Sequence, residues 1–172
     1  MVLQDLDRLD RGIIAALQVD GRRAYSRIAD EVGVSESVIR YRVRRLEEAG
    51  VLRIVGIADP SRMGFDLMAI VGVKGVAGKI DDICGELERM PEASYVVVTA
   101  GAFDVFVELL CRDTAHFAEV LTERIGTIDG VVDTQSFLVL QVRKLSYDWG
   151  AEKVETAAAH PDREHAGAPG GP

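Results

Sequence analysis

The chain has 172 residues, 48% of them hydrophobic, which allows two small cored domains or one medium one and leaves no stretch long enough to span a membrane. With 28 acidic against 20 basic residues the formal charge is −8, so a general polyanion binder is excluded and any contact with nucleic acid has to be local. The cysteines, Cys84 and Cys111, lie far apart in apolar surroundings without a CxxC or histidine partner at metal spacing, and are expected to be buried free thiols.

Residues 5–19 are expected to form a first helix, with Leu6, Leu9, Ile13 and Leu17 on one face. The opening MVLQDLDRLD lacks the charged-then-apolar pattern of a secretory signal, so a cytoplasmic protein is expected. A second helix follows at 25–32, where Ile28, Ala29 and Val32 make an apolar stripe. Ala24 before it is a poor cap. Gly33 breaks the run, and Ser35 stands where the next helix needs an N-cap. That third helix, 36–49, puts Ile39, Val43 and Leu46 on one side and Ser37, Arg40, Tyr41, Arg44 and Arg45 on the other. Residues 36–45 hold four arginines and one glutamate, while residues 1–59 as a whole are neutral. An acidic chain that gathers positive charge on one helix face, in helix-turn-helix register, suits the major groove of double-stranded DNA. Residues 51–57 are expected to be a strand, closed by Asp59 and Pro60, completing a winged helix-turn-helix domain over 1–60.

The roles within this head follow from chemistry. Ser35 is expected to cap the third helix; Ser37, Val38 and Tyr41 suit base edges or thymine methyls. Arg40 suits guanine, Arg44 and Arg45 phosphates, and Arg22 and Arg23 the DNA backbone. Arg42 lies nearer the buried stripe, where an ion pair with a first-helix carboxylate stands beside a phosphate contact.

From 67 onward the pattern changes. LMAIVGVKG (67–75) suggests a strand; 79–90 a helix burying Ile80, Ile83, Cys84, Leu87 and Met90; SYVVVTAG (94–101) and FDVFVELLC (103–111) two strands meeting at Ala100, Gly101 and Ala102. A helix at 114–126 and a last strand at 131–144 complete the order βαββαβ, a ferredoxin-like unit over 61–148 with both helices on one sheet face. The fold class is therefore α+β. These strands are apolar on both faces, whereas an antiparallel sheet with one wet face alternates. Two helices cover one side only, so a homodimer through the other is expected from packing alone. Residues 149–172 are poor in large apolar side chains and are expected to be a disordered tail.

With those elements in place, the sequence resembles the Lrp/AsnC family of transcription regulators from about Leu6 to Lys144. The resemblance rests on LDRLDRGIIAALQVDGR, IADEVGVSESVIRYRVRRLEEAGVL, IADPSRMGF, AGAFDVFVEL and GVVDTQSFLVL. It implies a sequence-specific DNA-binding regulator with a ligand-sensing and oligomerising domain, assembling as homodimers that join into octamers or other higher oligomers. No cofactor is implied. It also implies a small effector, commonly an amino acid, held near the turn at 101–104 (Gly101, Ala102, Phe103 and Asp104), with Val98 and Thr99 before it and Thr134 and Ser136 facing it. Asp104 suits an ammonium or a turn N–H equally, and glycine in a tight hairpin needs no ligand. Many relatives carry an acidic residue where Ala102 stands, which puts effector identity in question.

Two other readings compete. Some proteins resembling this family are haem-precursor decarboxylases, but His116, His160 and His165 form no catalytic set, and His116 suits a surface position. A DNA-wrapping architectural protein without an effector remains the other alternative.

Overall fold

A computed structural model describes residues 6–146, which fall into two compact units meeting at Val55 and Gly56. The segment expected to be a disordered tail, 149–172, lies wholly outside the described residues, as do the first five residues.

The amino-terminal unit holds α1 (Arg8–Val19), α2 (Tyr25–Val32) and α3 (Glu36–Glu48). Asp7 caps α1, its carboxylate accepting the Asp10 N–H at 2.8 Å. The expected stripes meet: Ile13 and Leu17 of α1, Ile28 and Ala29 of α2, and Ile39, Val43 and Leu46 of α3 form one buried core. Each such side chain contributes about 1.5–3 kcal/mol of burial. Gly33 ends α2 at φ +72°, a left-handed conformation that lets its N–H reach the Ala29 carbonyl and turns the chain into α3. Ala24 supplies no side-chain cap to α2, as expected of alanine.

The strand expected over 51–57 is not formed. Val51 and Leu52 instead donate backbone N–H groups to the Leu46 carbonyl at 2.9 and 3.2 Å, and Ile54, Val55 and Ile57 are exposed. The segment has β-forming residues but no neighbouring strand among the described residues to complete a ladder.

The second unit begins with a 3₁₀ turn at Ser61–Met63, where Asp59 accepts from the Ser61 N–H and hydroxyl at 3.0 and 2.8 Å. Then come β1 (Leu67–Gly75), α4 (Ile80–Glu88), β2 (Ala93–Val98), β3 (Val105–Cys111), α5 (Thr114–Glu119, continued by a wider π turn through Val120–Ile125) and β4 (Val131–Leu138). The sheet is antiparallel in the order β2-β3-β1-β4, the arrangement expected of a ferredoxin-like βαββαβ unit. β3 alternates strictly: Val105, Val107, Leu109 and Cys111 point into a core with Val71 and Val73 of β1, Ile83 and Leu87 of α4, and Phe117, Val120 and Ile125 of α5. Cys84 and Cys111 are free and buried there, and desolvation pushes both thiols up.

The last strand is shorter than the expected 131–144. Ladder pairing with β1 ends at Leu138 opposite Ala69, and one further bond joins the Val139 N–H to the Met68 carbonyl at 2.9 Å. Pairing stops there, short of the start of β1 at Leu67, and Leu140 is 96% exposed.

Candidate nucleic-acid interface and effector loop

α3 presents the cationic face anticipated for it. Arg40, Tyr41 and Arg44 are exposed, as are Ser37 and Val38 in the first turn. Each arginine of the helix is partnered. Arg40 donates to Glu36 at 2.5 Å and lies 5.5 Å from the Tyr25 ring centroid, a cation–π distance. Arg44 donates to Glu48 at 2.7 Å, and this hydrogen bond raises the arginine's already high pKa. Both pairs are exposed and one helical turn apart, the class that contributes little to stability and yields readily to a stronger anion.

Arg42 and Arg45 differ. Arg42 reaches Asp7 at 2.5 Å and Asp10 at 3.1 Å, the first-helix ion pair anticipated for it. Hydrogen bonds to Asp7 and then Asp10 raise its pKa, and Asp7 is in turn held below the usual carboxylate range, first by the Asp10 N–H and then by Arg42. Arg45 donates to the other Asp10 oxygen at 2.6 Å. It is therefore tied to the interior of its own unit, where the sequence suggested a free phosphate contact.

Ser35 occupies the N-cap position of α3, but its side chain bonds no helix N–H. Its hydroxyl instead pairs with that of Ser37 at 2.9 Å, so the expected cap is absent. Arg23 is paired with Glu31, and Arg22 is exposed, its backbone N–H held by Asp20 at 2.9 Å. The Glu36 and Glu48 partners were legible as four-residue spacings. The Tyr25 contact of Arg40 and the Asp10 contact of Arg45 were not, because the partners lie on different helices.

In the second unit the loop from Thr99 to Asp104 is closed by backbone bonds, Thr99 N–H to the Asp104 carbonyl at 2.8 Å and Asp104 N–H to the Val73 carbonyl at 3.0 Å. The Thr99 hydroxyl donates to the Phe103 carbonyl at 2.7 Å. One Asp104 oxygen accepts the Gly75 N–H at 2.9 Å, the turn-fixing role rather than a lone anion. Phe103 folds over Gly72: a Cβ there would lie 2.7 Å from the ring. Its ring meets Phe106 edge-on at 5.5 Å and Phe137 at 6.4 Å, with the Lys74 ammonium 5.6 Å from its centroid. Gly101 and Ala102 are exposed, and Val98 is in register with Val105.

Register separates the two halves of the expected effector site. Thr134 pairs with Val73 and Ser136 with Val71, residues that face the helices. Gln135 pairs with Gly72 and Phe137 with Ile70, on the open face where Phe103 lies. The structure thus sets the two hydroxyl residues on the opposite side of the sheet from the Phe103 ring.

His116 is not a surface residue. Its side chain is 11% exposed, its Nδ1 accepts the Arg112 N–H at 3.2 Å and its Nε2 faces Glu92 at 3.3 Å. Arg124 donates to the other Glu92 oxygen at 2.7 Å. Burial pushes the Glu92 carboxyl up, but its own backbone N–H, Arg124 and His116 together outweigh this and hold it below the usual range. A groove of about 620 Å³ runs along the helix layer between Asp81, Glu86 and Arg89 on one side and Arg124, Thr127 and Asp129 on the other. None of the residues assigned to the effector lines it. Among the described residues no cluster of His, Cys, Asp and Glu could hold a metal, and no helix is long and apolar enough to cross a membrane.

Comparison with known proteins decides the family. The AsnC-type helix-turn-helix domain matches residues 6–47, and the Lrp/AsnC ligand binding domain matches residues 68–149. The chain belongs to the Lrp/AsnC family. The regulatory protein AsnC of Escherichia coli K12 is 32% identical over 138 residues, 79% of this chain and 91% of AsnC. The HTH-type transcriptional regulator PH0140 of Pyrococcus horikoshii, itself uncharacterized, is 32% identical over 151 residues, 87% of this chain and 93% of that protein. The structure of E. coli AsnC superposes with a TM-score of 0.75 at 31% identity, covering 82% of this chain and 96% of that one. The regulator NMB0573 of Neisseria meningitidis, solved as an L-Met complex, shares the fold at 24% identity and a TM-score of 0.76, covering 84% and 96% of the two chains. This Lrp/AsnC protein is thus a DNA-binding transcriptional regulator with a ligand-binding domain, and its named relatives are regulators rather than enzymes.

Proposed function

We propose that this regulator binds duplex DNA as a dimer or higher oligomer, and that a small effector, with amino acids the first class to test, sets its affinity or assembly. The carrying observation is the pairing of a displaceable cationic face on α3 with an uncovered apolar sheet face. Ile70, Phe106, Phe137 and Tyr95 lie on the side of the sheet away from α4 and α5. A second copy of the sheet is the occupant that would bury them and present two reading heads about 34 Å apart. In this reading Ser37, Val38, Arg40 and Tyr41 meet base edges, Ser35 lies at the first turn beside them, and Arg44, with Arg22 and Arg23, meets the phosphate backbone.

Gly101 supports the effector reading. It has no left-handed backbone, and a Cβ there would meet nothing within 4 Å, so the chain's own geometry does not require a glycine. A close approach by a ligand or by another subunit gives it a reason. Val98, Thr99, Ala102, Phe103 and Asp104 line the same loop; Thr134 and Ser136, on the helix-covered face of the sheet, are left out of the proposed contacts. The methionine bound to the Neisseria protein makes L-methionine a sensible member of the first panel.

The DNA role is tested by salt. Arg44→Ala is expected to weaken binding to all sequences alike and to reduce the slope of log K against log salt by about 0.9 per engaged head. A change in sequence preference at constant slope would overturn the phosphate assignment. The effector role is tested by thermal shift with the common amino acids. A ligand at about 100 times its dissociation constant adds roughly 2.7 kcal/mol, or on the order of 10 °C for a domain of this size. If no amino acid moves the melt, the amino-acid assignment falls and the effector-free DNA-wrapping reading replaces it.

A further inference from the structure

We propose that Asp10 is a positioning residue of the reading head: it withdraws Arg45 and Arg42 from the phosphate-binding set and fixes the rotation of α3, leaving Arg40 and Arg44 as the cations of α3 that exchange carboxylate for DNA, Arg40 for a base edge and Arg44 for a phosphate. The inference rests on α3 being the DNA-facing helix and concerns which of its arginines act there.

Asp10 is the buried charged residue of the head, its side chain 1% exposed. It stands on the apolar stripe of α1, three residues before Ile13 and seven before Leu17, where a hydrophobic residue would ordinarily pack. A carboxylate in that position is tolerated only if paired and hydrogen-bonded. Its two oxygens are divided between two guanidinium groups, Oδ1 to Arg42 at 3.1 Å and Oδ2 to Arg45 at 2.6 Å. Arg42 is also held by Asp7, whose second oxygen caps α1 through the Asp10 N–H at 2.8 Å. The start of α1 and one face of α3 are thereby joined at two points three residues apart on α3. The buried stripe of Ile39, Val43 and Leu46 sets which face of α3 turns inward, and the two directional contacts add a second constraint on its rotation.

The arginines of α3 consequently divide into two kinds. The Arg40 and Arg44 side chains are 67% and 79% exposed, and their partners Glu36 and Glu48 are on the same exposed helix face. The Arg45 side chain is 37% exposed, and its Nε is buried without a partner among the described residues, so part of the donor fork faces inward. Moving Arg45 onto a phosphate would strand the buried Asp10 carboxylate with one partner fewer. Arg44 leaves behind only a glutamate already in water. The head therefore neutralises fewer phosphates than its arginine count suggests, which limits sequence-independent affinity and leaves a larger share of recognition to base contacts.

The test measures binding of the full chain to a fluorescein-labelled random-sequence duplex of about 40 base pairs, as a function of KCl concentration. Arg45→Ala is expected to leave the salt slope unchanged while lowering the melting temperature of the head. Asp10→Asn, if folded by circular dichroism, is expected to steepen the slope by about 0.9 for each arginine released and to tighten random-duplex binding. A purely structural role for Asp10 would move stability and leave the slope alone, and that result overturns the proposal. If Asp10→Asn does not fold, Arg45→Ala decides: a slope reduced as much as by Arg44→Ala overturns it, and an unchanged slope supports it. A wild-type chain that fails to bind the duplex at low salt would sink the DNA-facing assignment of α3 itself, a different failure from a bound wild type with a salt-sensitive Arg45.

Discussion

On the proposed sheet-to-sheet dimer, Phe106→Asp is expected to give a monomer and to weaken the hold on a two-half-site duplex by about 100-fold or more. Phe106 lies in the middle of β3, opposite Gly72 of β1 and Val97 of β2, on the face that no helix among the described residues covers. Its ring packs against Phe103 at 5.5 Å, and with Phe137 and Ile70 it supplies apolar surface where strands with one wet face would carry polar residues. An aspartate there costs little within one subunit, because the opposite face holds the hydrophobic core. Closed between two sheets, it becomes an unpaired buried charge, a loss of about 3–5 kcal/mol per site. Dissociation then removes the linkage between the two heads, which is worth about 10²–10⁴ in apparent affinity. Light scattering on the purified variant measures the mass, and circular dichroism confirms that the fold is retained. A variant that remains dimeric would place the interface elsewhere.

Local pattern was enough for much of this architecture. LMAIVGVKG marks β1, and YSRIADEV followed by Gly33 marks α2 with its left-handed stop, because both rest on periodicity and one residue's backbone preference. Where pairing decides, sequence falls short. Residues 51–57 have the composition of a strand and no ladder to join among the described residues, while FLVLQV continues past the last ladder pair, Ala69 with Leu138. Thr134 and Ser136 show the same limit at the level of side chains. The ladder shifts register between Lys74 and Gly75, and a shift of one residue exchanges the two faces of a strand. The family resemblance set them against the turn; only the ladder places them beside Val73 and Val71. At the reading head, the partners of Arg40 and Arg44 lie at four-residue spacing on the same helix, a signal that was present in the sequence and went unused. Arg45 and Asp10 are separated by 35 residues, and nothing local links them.

Gly130→Ala is expected to destabilise the second unit by about 2–5 kcal/mol while sparing the reading head. Two independent effects combine. Gly130 sits at φ +94°, in the region that L side chains occupy only under strain of about 1–3 kcal/mol. A Cβ would also lie 2.7 Å from Lys79 Cβ and 3.1 Å from its Cγ. Lys79 Cβ is fixed to the backbone just ahead of α4, so no rotamer change relieves the clash, and overpacking of this kind adds about 1–3 kcal/mol. Neither segment is free to withdraw. The Gly130 carbonyl accepts the Val76 N–H at 2.8 Å, the Lys79 N–H donates to the Val76 carbonyl at 3.0 Å, and Lys79 bridges Asp82 and Asp129 at 3.3 and 3.1 Å. The start of β4 and the start of α4 are thus held together where glycine leaves no side chain between them. The head has its own core of Ile13, Ile28, Ile39 and Leu46, with no residue in common with the core of the sheet. Differential scanning calorimetry is therefore expected to show the sensor transition lowered by on the order of 15 °C and the head transition unmoved. A drop of only a degree or two would mean that the backbone relaxes here and that the tight approach of Gly130 to Lys79 carries no energetic weight.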